Sequence, residues 1–197
     1  MSENDFGVVV LISGSGSNLQ AIIDAQLPIG LRAVISNRAD AYGLERARQA
    51  GIPTEVIDHR EFADRTSFDR ALQARIDHYQ PRLVVLAGFM RILTDEFVNH
   101  YRGRMINIHP SLLPKYRGIN THARAIEAGE SEAGCSVHWV SPELDAGPVI
   151  LQAKVPIHPG DSADTLAARV LEQEHKIYPE AIRRIANGEI DRQEKRH

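Results

Sequence analysis

The chain predicts an α/β domain built on a doubly wound, mostly parallel sheet, and three observations carry that expectation. Short apolar runs rich in Val, Ile and Leu alternate with longer amphipathic runs. The short runs do not alternate apolar with polar residues, so both of their faces are buried, as in a sheet covered by helices on each side. A right-handed crossover through each intervening helix then makes sequential strands parallel.

The first strand is GVVVLI (7–12), which passes through the turn SGSG into a helix over NLQAIIDAQ (18–26). LRAVIS (31–36), YGLERARQA (42–50) and PTEVID (53–58) repeat the strand, helix, strand rhythm. SFDRALQARIDHY (67–79) carries its apolar residues at the helical period and leads to the strand RLVVLA (82–87). A shorter helix is expected near TDEFVNHY (94–101), before the strand RMINIH (104–109). After Pro114 the rhythm changes. CSVHWV (135–140) and PVILQAKVPI (148–157) read as later strands, partly antiparallel, joined through SPELDAG, and SADTLAARVLEQEHKIYPEAIRRIA (162–186) reads as a long closing helix. No repeat, low-complexity segment or linker interrupts this order, so residues 1–197 are expected to form one domain with a frayed charged tail at DRQEKRH.

With 197 residues, 43% hydrophobic and 25% charged, such a domain can bury roughly 70% of its unfolded surface. A net charge of -3, with Lys and Arg scattered, offers no footprint for nucleic acid or an anionic membrane. The opening MSENDFG lacks the basic and apolar regions of a signal peptide, and no apolar run reaches the roughly 18 residues of a membrane span. The expectation is a cytoplasmic protein. The single cysteine, Cys135, excludes an internal disulfide and a cysteine metal cluster, and its strand-like surroundings suggest a buried, inert thiol.

Three local patterns bear on chemistry. In SGSGSNLQ, Gly14 and Gly16 permit tight or positive-φ backbone, Ser17 and Gln20 have capping-box spacing, and the helix start would present free amides to an anion. A dinucleotide fingerprint fits poorly, because Leu19 stands where its third glycine belongs and Ser36, Asn37 and Arg38 end the second strand where an acid is needed. No GK[ST] follows for a P-loop. A single phosphate monoester or a purely structural turn remains.

In MINIHPSLLPKYRG, strand alternation places Asn107 and His109 on one face and Ile106 and Ile108 on the other, at the carboxyl end of a parallel strand where crevices open. They could be a hydrogen-bonded core pair. Asp145, in the turn SPELDAGP, supplies a candidate carboxylate, and the Ser13 to Asn18 loop should open on the same side of the sheet. Amide, imidazole and carboxylate beside an anion site suit stabilisation of a tetrahedral oxyanion with movement of a proton. Ser111 lacks a GxSxG elbow and lies too close to His109 to attack through it, and His109, His122 and His138 lack metal-site spacing.

Together SGSGSNLQAI, LAGFMRIL, NIHPSLLPKYRG and SVHWVSPELDAGPVILQ, in this order over nearly the whole chain, closely resemble the folate-dependent phosphoribosylglycinamide formyltransferases of purine synthesis. The resemblance implies a Rossmann-like formyltransferase fold and transfer of a formyl group from 10-formyltetrahydrofolate to the amine of glycinamide ribonucleotide, without a metal. It implies that Asn107, His109 and Asp145 are catalytic, that Gly16, Ser17 and Asn18 bind the substrate phosphate, and that Glu174 contacts the substrate. It implies folate binding by Met90, Arg91, Ile92, Leu93 and Asn107, and by Arg65, whose surroundings read as loop. The half up to about residue 100 would then bind phosphate, and residues 101–190 would bind folate and catalyse. GFMRIL, apolar except for Arg91, suits a wall for a flat heteroaromatic ring, as it also suits a strand end entering a helix. The resemblance leaves a monomer or a homodimer open, as it does the isomer of Leu113-Pro114 and the effect of Arg117 and Trp139 on the pocket rim. Methionyl-tRNA formyltransferase would add a C-terminal domain with a basic face, and formyltetrahydrofolate deformylase an N-terminal regulatory domain. A non-catalytic nucleotide-binding module would leave Asn107, His109 and Asp145 without a purpose.

Overall fold

A computed structural model describes residues 5–191, so the charged tail beyond Asp191 lies outside the described residues. The chain order is β1 (Gly7–Ile12), α1 (Ser17–Asp24), β2 (Gly30–Ser36), α2 (Tyr42–Gln49), β3 (Thr54–Val56), α3 (Arg65–His78), β4 (Leu83–Leu86), α4 (Asp95–His100), β5 (Met105–His109), α5 (Thr121–Glu127), β6 (Glu132–Trp139), β7 (Val149–Pro156) and α6 (Ala163–Ala186). The seven strands form one sheet in the order β3-β2-β1-β4-β5-β6-β7. The first five are parallel, while β6 and β7 each run antiparallel to the preceding neighbour.

β1 explains why the strands read as uninterrupted apolar runs. Val8, Val10 and Ile12 pack against Leu19, Ile22, Leu44 and Ile182 from α1, α2 and α6, whereas Val9 and Leu11 pack in the opposite cluster with Phe68, Leu72 and Phe97 from α3 and α4. Burial of a Val, Leu or Ile side chain contributes roughly 1.5–3 kcal/mol relative to exposure, and here both faces contribute. A smaller cluster of Ala133, Cys135, Val155, Leu166 and Val170 seats the start of α6 on β6 and β7. Burial there, joined by the nearby charge of Glu174, pushes the Cys135 thiol up to about 12, the state of an unreactive thiol.

The closing helix begins where the sequence reading placed it, with Ser162 as its cap and a reciprocal capping box with Thr165. Tyr178 of α6 is fully buried, and its hydroxyl donates to the Leu86 carbonyl at 2.6 Å, tying the helix to the end of β4. Three expectations need revision. β3 spans three residues instead of six, because it pairs only with Val34 to Ser36 at the sheet edge, and a 3-10 turn at His59–Glu61 follows. Helix α5, seven residues long, was not foreseen. The Ser17 and Gln20 capping box does not form: Gly16 is the cap residue, at φ 74, and Gln20 donates its side chain to Asp24 instead. The helix starts one residue earlier than the pattern required, so Gln20 N–H bonds to the Gly16 carbonyl at 2.8 Å.

Candidate active site

β1 lies between β2 and β4, so successive crossovers leave it in opposite directions, and this reversal opens a crevice at the carboxyl ends of the strands. One wall is the Gly14 to Asn18 turn. A β-carbon on Gly16 would stand 2.5 Å from the Gly43 Cα, and Gly43 N–H donates to the Gly14 carbonyl at 3.0 Å. The first turn of α2 therefore braces the turn from behind, and Gly16 is required for close packing as well as for its positive φ. Arg46 of α2 adds a bond from Nε to the Ser15 carbonyl at 2.8 Å.

Asn18, beside this turn, donates from Nδ2 to Glu174 Oε1 at 3.2 Å across 156 residues of sequence. Glu174 is buried, and burial raises its pKa, opposed in part by the Asn18 bond. The structure thus brings together two of the residues singled out by the resemblance, and Asn18 Oδ1 is buried without a partner.

At the end of β5, Asn107 and His109 share a face as alternation required, and Asp145 reaches them from the turn between β6 and β7. His109 Nδ1 lies 3.5 Å from Asp145 Oδ2, and both side chains are only 7% exposed. His109 Nε2 donates to the Tyr116 carbonyl at 2.8 Å. The carboxylate of Asp145 also accepts Gly118 N–H at 2.9 Å. Asp145 itself adopts φ 51, a left-handed conformation that Asp tolerates better than most residues. The nearby Gly147 is pressed so closely on the Trp139 carbonyl that any β-carbon would collide with it.

His138 belongs to this cluster and was missed as a site residue. It is the cross-strand partner of Asn107 in the antiparallel pairing of β5 with β6, and it is 2% exposed. Its Nδ1 donates to the Trp139 carbonyl at 3.1 Å, which leaves the Nε2 lone pair to accept Asn107 Nδ2 at 3.5 Å. Nε2 is also 4.0 Å from Asp145 Oδ1. Burial lowers the His138 pKa, against smaller upward effects of the Trp139 bond and Asp145, so the ring is neutral and can accept. Only the β5–β6 register, invisible in a local pattern, reveals this contact.

The segment after β4 lies beside the glycine turn, with Met90 N–H bonded to Ser13 Oγ at 2.8 Å. Met90 and Ile92 are 76% and 61% exposed, and the Arg91 guanidinium lies over the Phe68 ring at 5.6 Å. Leu93 packs partly buried against the α3 and α4 cluster. Arg65 opens α3, exposed, behind the Asp64 cap, where the sequence reading placed a loop. Of the two rim residues, Trp139 is buried in the core, and Arg117 pairs with Glu143 at 2.9 Å. Leu113-Pro114 is cis. A cavity of about 340 Å³ lies between the Pro110 to Tyr116 segment, α5 and the ends of β6 and β7, and neither Asn107, His109 nor Asp145 lines it. Among the described residues, no three His, Cys, Asp or Glu side chains are grouped as a metal site requires, and no helix is long and apolar enough to cross a membrane.

An open, doubly wound sheet with an amide, an imidazole and a carboxylate at the end of a central strand fits the family comparison: the chain belongs to the formyl transferase family, which it matches over residues 7–182. Among its relatives, the phosphoribosylglycinamide formyltransferase of Escherichia coli is 59% identical over 187 residues, spanning 93% of this chain and 88% of that protein. The human trifunctional purine biosynthetic protein adenosine-3 is 48% identical over 191 residues, covering 93% of this chain but 18% of that longer protein. A solved phosphoribosylglycinamide formyltransferase from Coxiella burnetii superimposes with a TM-score of 0.92 at 60% identity, covering 96% of this chain and 91% of that one.

Proposed function

We propose that this protein transfers a formyl group from 10-formyltetrahydrofolate to the amine of glycinamide ribonucleotide, by direct attack and without a metal. The observation that carries the reading is the convergence of Asn107, His109 and Asp145 at the carboxyl end of β5, joined to the identity with formyltransferases over nearly the whole chain.

The amine nitrogen uses its lone pair to attack the formyl carbon, and the carbonyl electrons move onto oxygen. Collapse of this intermediate breaks the bond from carbon to the folate N10, which keeps the electron pair and takes a proton, while the amine loses one. No oxidation occurs. Asn107 Nδ2 carries two hydrogens, of which one faces His138, so the other can meet the developing oxyanion. A proton on His109 Nδ1 would lie between the ring and Asp145, where it can be held and passed on directly or through water. His109 Nε2–H can serve the oxyanion once the Tyr116 carbonyl releases it.

The amides of Gly16, Ser17 and Asn18 at the start of α1 would receive the phosphate, and Glu174, next to Asn18, the remainder of the nucleotide. Met90 to Leu93 would receive the folate ring system, with Asn107 at its reacting end and Arg65 at its far end. These small molecules suffice as partners, and a homodimer is compatible with the reading. Incubating the protein with glycinamide ribonucleotide and 10-formyltetrahydrofolate labelled in the formyl carbon tests it. Label should appear in the formylated nucleotide with one tetrahydrofolate per transfer, whereas release of free formate alone would make the protein a hydrolase.

A further inference from the structure

One buried serine ties the phosphate turn to the proposed folate wall. Ser13, 6% exposed, follows β1, and its N–H donates to the Gly88 carbonyl at 3.1 Å, extending the pairing of β1 with β4 past the strand ends. Its hydroxyl accepts Met90 N–H at 2.8 Å and donates to Asn37 Oδ1 at 2.6 Å. A hydroxyl has one hydrogen, so this direction of bonding is fixed by the partners: an N–H on one side and an amide oxygen on the other. Asn37, 3% exposed, continues the chain by donating from Nδ2 to His59 Nδ1 at 3.2 Å. Beyond the segment, Thr94 N–H donates to the buried Asp69 Oδ2 at 2.7 Å.

Residues 90 to 93 between these two pins have no helix or strand of their own, and Met90 and Ile92 point largely to solvent. An irregular loop keeps one shape through few contacts, because each residue left free retains its backbone entropy; here Arg91 on Phe68 and Leu93 on the α3 and α4 cluster hold side chains, and the two pins fix the backbone at the ends. Asp69 holds the end that enters α4. Nothing in the β1 sequence explains why Ser13 should be polar and buried, except that it holds the other end.

We infer that Ser13, backed by Asn37, is a positioning residue that fixes Met90 to Leu93 in the shape that receives the formyl donor. The donor side of this inference rests on the formyl-transfer reading, while the pinning of Met90 does not. Ser13→Ala deletes both bonds of the hydroxyl. Asn37→Ala leaves Met90 N–H its acceptor while removing the group that orients the serine hydroxyl and the bond to His59, so its effect at Met90 should be the smaller. Asn37→Asp keeps an acceptor for the serine hydroxyl and should restore most of the loss.

The test combines hydrogen exchange at the Met90 amide with the Kd of tetrahydrofolate and the KM values of both substrates, with a melting curve for each variant. Ser13→Ala should accelerate exchange at Met90 and raise the tetrahydrofolate Kd and donor KM by roughly five- to tenfold, the equivalent of one ordinary hydrogen bond. The nucleotide KM and kcat should stay within about twofold, a split that general loosening of the fold would not produce. Unchanged exchange at Met90 would overturn the pin itself. Faster exchange with an unaltered tetrahydrofolate Kd, or equal rises in both KM values, would overturn the donor-side role. A wild-type protein that binds no tetrahydrofolate would overturn the functional reading and the donor-side role with it, while exchange at Met90 would still decide the pin.

Discussion

Strand alternation was enough to pair Asn107 with His109 at the end of β5, though not to tell a site from a core pair, and the chemistry of the amide is limited to hydrogen bonding. Asn107→Ala should remove one oxyanion donor and lower kcat by about 10² to 10³, or roughly 3 kcal/mol, with little change in melting temperature; a kcat within threefold of wild type would show that the amide faces no oxyanion. His138 was not legible in the same way, because its contact with Asn107 depends on which strand pairs with β5 and in which direction. Glu174 shows the opposite case, a residue named by resemblance whose physical state only the fold reveals. Its folded pKa is raised by burial above the ordinary 4.5, so the native state binds its proton more tightly than the unfolded chain does. Stability from this group is present at low pH and is lost as pH rises from about 4.5 through the raised value. Glu174→Gln should therefore melt higher than wild type at neutral pH, lose that advantage near pH 4, and bind the nucleotide more weakly. Melting curves at the two pH values check the sign.

At the scale of elements, the strand and helix order was readable because both sheet faces are buried and the central strands β1 and β4 are unbroken apolar runs. Helix α5 was not, because seven residues make two turns, too few to display a period, and its cap residue Asn120 is left-handed with no side-chain capping bond. The shortening of β3 has the same origin in context: an edge strand ends where its single neighbour ends. The glycine turn was read correctly as a turn, but the reason for Gly16 lies in α2, whose Gly43 sits against it. A larger residue there strikes backbone and must also adopt φ 74, so Gly16→Val should act first on folding, costing about 2 kcal/mol or more and several degrees of melting temperature. A Gly16→Val protein with an unchanged melting curve would show that α1 and α2 can separate at no cost.

For the whole molecule, the crevice lies where crossovers from β1 and β4 diverge, so residues from the glycine turn, the segment after β4, the end of β5, the β6–β7 turn and α6 lie along the carboxyl ends of the central strands. The fold class and the Asn107 and His109 pair were legible because they follow from periodicity. The meeting of Asn18 with Glu174, and of Ser13 with Met90, was not, because only the sheet order brings them together. The proposed folate contacts Arg65 and Met90 to Leu93 lie in the first hundred residues and the proposed nucleotide contact Glu174 in the second, so the two proposed roles cross between the halves, and since the main core cluster joins residues from Phe6 to Ile185, unfolding should be a single transition at every probe wavelength. Prolonged chelation should leave formyl transfer intact, and loss of activity restored by one divalent ion would contradict direct transfer. The central claim, that a proton moves through His109 under the control of Asp145, is tested most directly by kcat for Asp145→Asn with both substrates saturating. The substitution keeps the volume and one oxygen to accept Gly118 N–H while removing the charge beside His109 Nδ1. The account predicts a fall in kcat of at least about 10² with the fold retained, and a folded Asp145→Asn protein turning over at the wild-type rate would contradict it.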